Sequence, residues 1–155
     1  MGYMEAKPML VAPLVLVVED ERPIRDIMVE TLREAGFRVE QVGNGAEALA
    51  HMRRQPPDVI VLDLMMPVMD GAGFTTLLRL NPSYADVPIV VVSATYDAPD
   101  AASRLGAIAC IRKPFLLEDL VDAVKAALDS RPAAAVAGDE LWRVPPAEVP
   151  NQAVP

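Results

Sequence analysis

Four short runs of almost unbroken apolar residues, at 14–18, 58–62, 88–92 and 108–111, constrain this chain more than any other feature. A strand that is apolar on both sides must be covered on both faces, the condition of a parallel sheet sandwiched between helices. A fifth run, Phe37-Arg38-Val39-Glu40-Gln41-Val42, alternates polar with apolar and predicts an edge strand. Five strands alternating with helices over one domain's length predict right-handed βαβ crossovers and a three-layer α/β sandwich.

The segments between the runs carry helix signals. Asp20 or Glu21 is placed to cap a first helix with Pro23 in its opening turn. Ile24, Ile27, Met28, Thr31, Leu32 and Ala35 form its expected buried stripe, and Gly36 its stop. Asn44 with Glu47 three residues on reads as a capping box for the second helix. Phe74, Leu77 and Leu78 mark a short third helix, and 99–105 a small, alanine-rich fourth. The fifth carries Leu117, Leu120, Val121, Val124 and Leu128 at helical spacing.

Composition narrows the function classes. The 155 residues allow one domain and a tail, and 52% apolar content is ample for one core. With 14 basic and 22 acidic side chains the net charge is −8, which disfavours direct binding to nucleic acid or to an anionic membrane. Cys110 is the only cysteine, so neither an intrachain disulfide nor a cysteine-rich metal site is available. Glu5 precedes any apolar run, and the stretch Met9 to Val18 is interrupted by Pro13 and too short to span a bilayer. A cytoplasmic location is expected. Residues 1–11 read as an N-terminal extension and 131–155, rich in proline and alanine, as a flexible tail or linker. Trp142, inside that tail, is either a docking residue or incidental.

The candidate chemistry lies where strands end. Asp63 closes the third run and opens Asp63-Leu64-Met65-Met66-Pro67-Val68-Met69-Asp70-Gly71. Glu19 and Asp20 close the first run, Ser93 the fourth, and Lys113-Pro114 follows the fifth. In open parallel sheets these ends face the ligand-binding crevice. Singly, each residue has an ordinary structural reading: acids capping a helix, a turn aspartate, a serine satisfying backbone, a solvated lysine. Their convergence on one edge favours a metal-assisted phosphoryl site.

Together, Val18-Glu19-Asp20-Glu21, the Asp63 to Gly71 motif, Ser93-Ala94 and Lys113-Pro114-Phe115 resemble the receiver domain of bacterial two-component response regulators, over residues 12–130. The resemblance implies a doubly wound, flavodoxin-like sheet of order 2-1-3-4-5 with helices on both faces. It implies Asp63 as phospho-acceptor and Mg²⁺ (or Mn²⁺) held by Glu19, Asp20, Asp63 and the backbone carbonyl of Met65. Lys113 would offset phosphoryl charge, Ser93 would donate its hydroxyl to the phosphoryl group, and Pro114 would follow a cis peptide. Small Ala94 would leave the acceptor accessible. The implied donor is a sensor histidine kinase or a histidine phosphotransfer protein. Output would pass through an unidentified protein target or a phosphorelay, with no fused output module, from a monomer or weak homodimer. An excised piece of a larger regulator fits the sequence equally.

One position departs from the pattern. Receiver domains usually carry an aromatic residue three before the lysine, and here Cys110 stands there, expected as core packing. Weak or altered switching follows as an expectation, with Tyr96 as the nearest aromatic substitute. His51 is expected at a surface or half-buried helix position, and Met65, Met66 and Met69 in loop packing. Two other classes compete: a metal-dependent phosphohydrolase with an aspartate nucleophile, and a degenerate receiver serving as a scaffold. The first strand ends Glu19-Asp20-Glu21 and lacks the paired-aspartate pattern of haloacid dehalogenase-type enzymes. A flavin module of the same architecture would suffer repulsion between an acidic pocket and the cofactor phosphate.

Overall fold

A computed structural model of the chain describes residues 11–66 and 68–130. The expectations for residues 1–10, for Pro67 and for 131–155 with Trp142 fall outside them. The elements run β1 Leu14–Val18, α1 Arg22–Glu34, β2 Arg38–Val42, α2 Gly45–Arg54, β3 Val59–Leu62, α3 Gly71–Arg79, β4 Ile89–Ser93, α4 Ala98–Arg104, β5 Ala109–Arg112 and α5 Leu117–Asp129. All strand pairs are parallel and the sheet order is β2-β1-β3-β4-β5, as expected.

Alternation along the strands divides the core into two layers. Leu16, Val18, Ile60, Leu62, Ile89 and Val91 face Met52 of α2 and Phe74 and Leu78 of α3. Val15, Val17, Val59, Val61, Val90 and Val92 face Met28 and Leu32 of α1 and Leu120 and Val124 of α5. All of these side chains are buried, each contributing about 1.5–3 kcal/mol relative to exposure. At the far end of the sheet, Asp58 ties β1 to β3: its N–H donates to the Leu14 carbonyl at 2.7 Å, and its Oδ2 accepts from the Leu14 N–H at 2.8 Å.

Local signals came true with changes. Glu21 is the N-cap of α1 but makes no side-chain capping bond. The buried face of α1 is Met28, Val29 and Leu32, whereas Ile27 and Ala35 are exposed. At 3.6 residues per turn, Ile27 lies roughly 140° around the helix from Leu32, so it cannot share its face. Likewise Phe74, Thr75 and Leu78 point inward on α3 while Leu77 is exposed, and Leu117 at the start of α5 is exposed. Asn44 Oδ1 accepts from Glu47 N–H at 2.9 Å, and Glu47 Oε1 reaches back past the cap to the Gly43 N–H at 2.8 Å. His51 is buried, not at the surface, with Nε2 3.8 Å from Glu40 Oε1. Met66 and Met69 pack on the core as expected, but Met65 is exposed.

The loop after β3 is held tightly. Asp70 caps α3 by accepting from Gly73 N–H at 2.8 Å, and Gly45 N–H donates to the Met69 carbonyl at 2.9 Å. A Cβ on Gly71 would sit 2.7 Å from the Asp63 carbonyl oxygen and 2.8 Å from Leu64 Cα, closer than backbone atoms tolerate. Val68 occupies the left-handed region at φ 66 although it is β-branched and 83% exposed. Two opposite outcomes are expected in urea unfolding. Gly71→Ala loses about 1–3 kcal/mol through overpacking against backbone. Val68→Asn gains about 1 kcal/mol, because asparagine visits the left-handed region at less cost.

Candidate functional site

The strand register assembles the site. Val18 pairs with Leu62 and the Asp63 N–H donates to the Val18 carbonyl at 3.0 Å, so Glu19 and Asp63 leave adjacent strands side by side. Leu62 pairs with Val91 and Ser93 with Arg112. The Lys113 N–H donates to the Ser93 carbonyl at 3.0 Å, which places Lys113 one residue past β5, and the Lys113–Pro114 peptide is cis.

One ammonium serves three carboxylates at this edge. Lys113 Nζ lies 2.9 Å from Glu19 Oε1, 3.4 Å from Asp63 Oδ2 and 3.6 Å from Glu21 Oε1. Glu19 is fully buried, Asp63 is 4% exposed, and Asp20 is open to solvent. Glu19 Oε2 accepts from the Glu21 N–H at 3.1 Å, and Asp63 Oδ1 from the Met65 N–H at 3.2 Å. Arg25 of α1 braces the acidic turn, its Nη1 donating to the Glu19 carbonyl at 3.0 Å and its Nε to Gln41 Oε1 at 3.1 Å.

This arrangement leaves Asp63 short of positive charge. Burial, then the neighbouring Glu19, pushes its carboxyl up from 3.8 to about 7, against the opposing pull of Lys113 and of the Met65 N–H. Burial disfavours the charged form of Lys113, but hydrogen bonding to Glu19 and the charge of Asp63 outweigh it and hold the ammonium above its usual range. Glu19, Asp20 and Asp63 each offer a carboxylate oxygen, with the three within 4.8 Å of one another. Hard oxygen donors with an excess of negative charge are the donor set that suits Mg²⁺.

Ser93 is fully buried at the end of β4, and its Oγ meets Thr95: Oγ to Oγ1 is 3.2 Å, and the Thr95 N–H donates to Oγ at 3.3 Å. Cys110 is buried in the core, which pushes its thiol up to about 11. Tyr96 is 89% exposed and does not fill the place an aromatic residue would take near Cys110. Sequence reasoning therefore located Glu19, Asp20, Asp63, Ser93 and Lys113, which the fold brings to one edge. It missed Glu21 as a Lys113 partner, because Glu21 read as a helix cap. Thr95, two residues past Ser93, was not singled out, and Arg25 gave no signal because its partner Gln41 lies on β2.

Known proteins resemble the chain in the same terms. A family model described as the response regulator receiver domain matches residues 15–125. The transcriptional regulatory protein PrrA of Mycobacterium leprae is 41% identical over 140 residues, covering 89% of this chain and 59% of that protein. The chain thus spans little over half the length of that curated relative. The chemotaxis response regulator CheY4 of Vibrio cholerae is similar in structure at a TM-score of 0.71 and 32% identity, covering 76% of this chain and all of that one. The receiver domain of NtrX from Brucella abortus gives a TM-score of 0.68 at 28% identity, over 74% of this chain and 98% of that one.

The raised Asp63 carboxyl has a thermodynamic consequence in metal-free protein. The folded state holds this proton more tightly than the unfolded chain. Its contribution to stability is therefore complete below pH 3.8 and is lost as pH rises through about 7. Asp63→Asn removes a buried charge that Lys113 shares with two others. It is expected to stabilise the metal-free protein at neutral pH by about 1–3 kcal/mol and to flatten the decline between those values. Urea unfolding of both proteins at pH 4 to 8 with chelator checks this; equal slopes would refute it.

Proposed function

The chain belongs to the response regulator receiver domain family, and from that premise we propose that Asp63 accepts a phosphoryl group from a sensor histidine kinase or a histidine phosphotransfer protein. The observation that carries the proposal is the ammonium of Lys113 set between Glu19 and Asp63, 2.9 and 3.4 Å away, at the strand ends. In the proposed step an Asp63 carboxylate oxygen attacks the phosphorus of a phosphoimidazole. The new P–O bond forms as the P–N bond breaks, and the electron pair returns to the imidazole nitrogen, which takes up a proton.

Each side chain has a distinct task in this reading. Asp63 must be ionised to attack, and a bound cation would favour the ionised form of a carboxyl that burial and Glu19 push up to about 7. Glu19, Asp20, Asp63 and the Met65 carbonyl would hold Mg²⁺ or Mn²⁺, which neutralises charge between the carboxylates and the incoming phosphoryl group. Lys113 turns its ammonium from Glu19 and Asp63 toward the phosphoryl oxygens, and Ser93 donates its hydroxyl to one of them. Ala94 beside it adds no bulk.

The proposed unit is the receiver at 12–130, acting in the cytoplasm as an acceptor that turns over no substrate of its own. Its phosphorylated form acts on a downstream protein target or passes the group along a relay, as a monomer or weak homodimer. Among the described residues no helix is long and apolar enough to cross a membrane. The net charge of −8 over the whole chain argues against contact with nucleic acid.

Intact mass after incubation with acetyl phosphate and Mg²⁺ tests the proposal. Wild type is expected to gain one phosphoryl group, Asp63→Asn none, and Lys113→Ala an occupancy lower by at least about tenfold. Equal labelling of wild type and Asp63→Asn would overturn the assignment of the acceptor. Sustained hydrolysis of small phosphate esters by wild type would favour the phosphohydrolase class instead.

A further inference from the structure

We propose that Thr95 is a latch on Ser93 that opposes the phosphorylated state. The inference rests on the acceptor reading above and adds a residue to it. Ser93 is fully buried, and its hydroxyl has one proton and two lone pairs. The Thr95 N–H, 3.3 Å away, donates into one lone pair. The Thr95 Oγ1, 3.2 Å away, is the acceptor left for the serine proton. Among the described residues no other acceptor is within hydrogen-bond reach of Ser93 Oγ. A buried hydroxyl proton without an acceptor is costly, so at rest Ser93 donates to Thr95. Thr95 as a residue is half-buried, and its own hydroxyl proton can go to water.

A phosphoryl group on Asp63 needs that same serine proton. Ser93 has only one, so donating to a phosphoryl oxygen means giving up Thr95. The latch therefore enters the balance between resting and phosphorylated states as one hydroxyl–hydroxyl bond, lost when the second forms. Two neighbours give it weight. Cys110 offers no ring to reward the movement of Ser93 by filling space behind it, and Tyr96 stands in solvent. The resting bond thus opposes the turn of Ser93 without an aromatic counterweight.

Thr95→Val keeps the shape and the backbone N–H and removes only the acceptor. Thr95→Ser keeps the acceptor. Beryllofluoride with Mg²⁺, a stand-in for the phosphoryl group on a carboxylate, is the probe. Thr95→Val is expected to bind it about three- to tenfold more tightly than wild type, the range of one hydrogen bond. Thr95→Ser is expected to match wild type. Thermal unfolding separates a latch from a merely structural threonine. The latch predicts that Thr95→Val lowers the midpoint of the free protein and leaves that of the beryllofluoride-bound protein close to wild type. A structural role would lower both equally. Affinity unchanged or weakened in Thr95→Val, with wild type binding normally, would overturn the latch. Failure of wild type itself to bind beryllofluoride would overturn the acceptor reading beneath it.

Discussion

The ammonium of Lys113 is the interaction on which the rest of this site depends. Glu19 and Asp63 are buried side by side at the ends of adjacent strands, and two like charges in that setting repel and lose hydration together. Lys113 follows β5, while its partners follow β1 and β3, so its side chain must cross the end of β4 to reach them. That crossing limits what can stand there. Ser93 and Ala94 are small, and the Ser93 carbonyl takes the Lys113 N–H, which fixes where the side chain starts. Strand order, a short residue at the end of β4 and the lysine after β5 are thus one geometric requirement expressed at three positions.

The compensation is deliberately incomplete in its effect. One cation shared among Glu19, Glu21 and Asp63 leaves the group acidic, and Asp63 answers by holding a proton up to about pH 7. A second lysine would improve stability and supply the positive charge that a divalent cation is proposed to bring. The site trades folding stability for an unmet need of charge, a common relation between active sites and stability. The tight loop around Gly71, the bond from Gly45 to Met69 and the left-handed Val68 belong to the same economy, because a carboxylate so placed must not relax away from its neighbours.

Most of this was legible in the sequence where one strong local pattern decided the outcome. Runs such as 14–18 and 88–92 admit no exposed face, so their role as central strands followed, and Arg38–Val42 alternates as an edge strand must. Glu19, Asp20, Asp63, Ser93 and Lys113 were legible because each sits at a strand end in the order a known motif requires. Errors arose where tertiary contact chose between similar options. Ile27 and Val29 are both apolar residues of α1, and the face that the helix lays on the sheet, centred on Met28 and Leu32, takes in only the second. His51 read as a surface or half-buried residue because nothing local reveals that the face of α2 carrying Ala48 and Met52 takes it fully inside. Glu21 pairs with a lysine 92 positions later, since 113 − 21 = 92, a distance no local window spans.

The departure at Cys110 changes how a signal can leave this site. Cys110 packs in the layer with Val91, Ile89 and Ala107, and α4 closes on that layer through Ala98 and Ala102. A change at Ser93 must then travel through what touches it. Its carbonyl accepts from Lys113 and its backbone is laddered to Arg112, so displacement of Ser93 pulls on β5 directly. Thr95 lies two residues on, at the start of the turn that leads into α4, and its carbonyl accepts from the Ala98 N–H. On the proposed reading, the hydroxyl pair of Ser93 and Thr95 would couple the acceptor edge to both α4 and β5 without an aromatic intermediary, through hydrogen bonds that change in discrete steps.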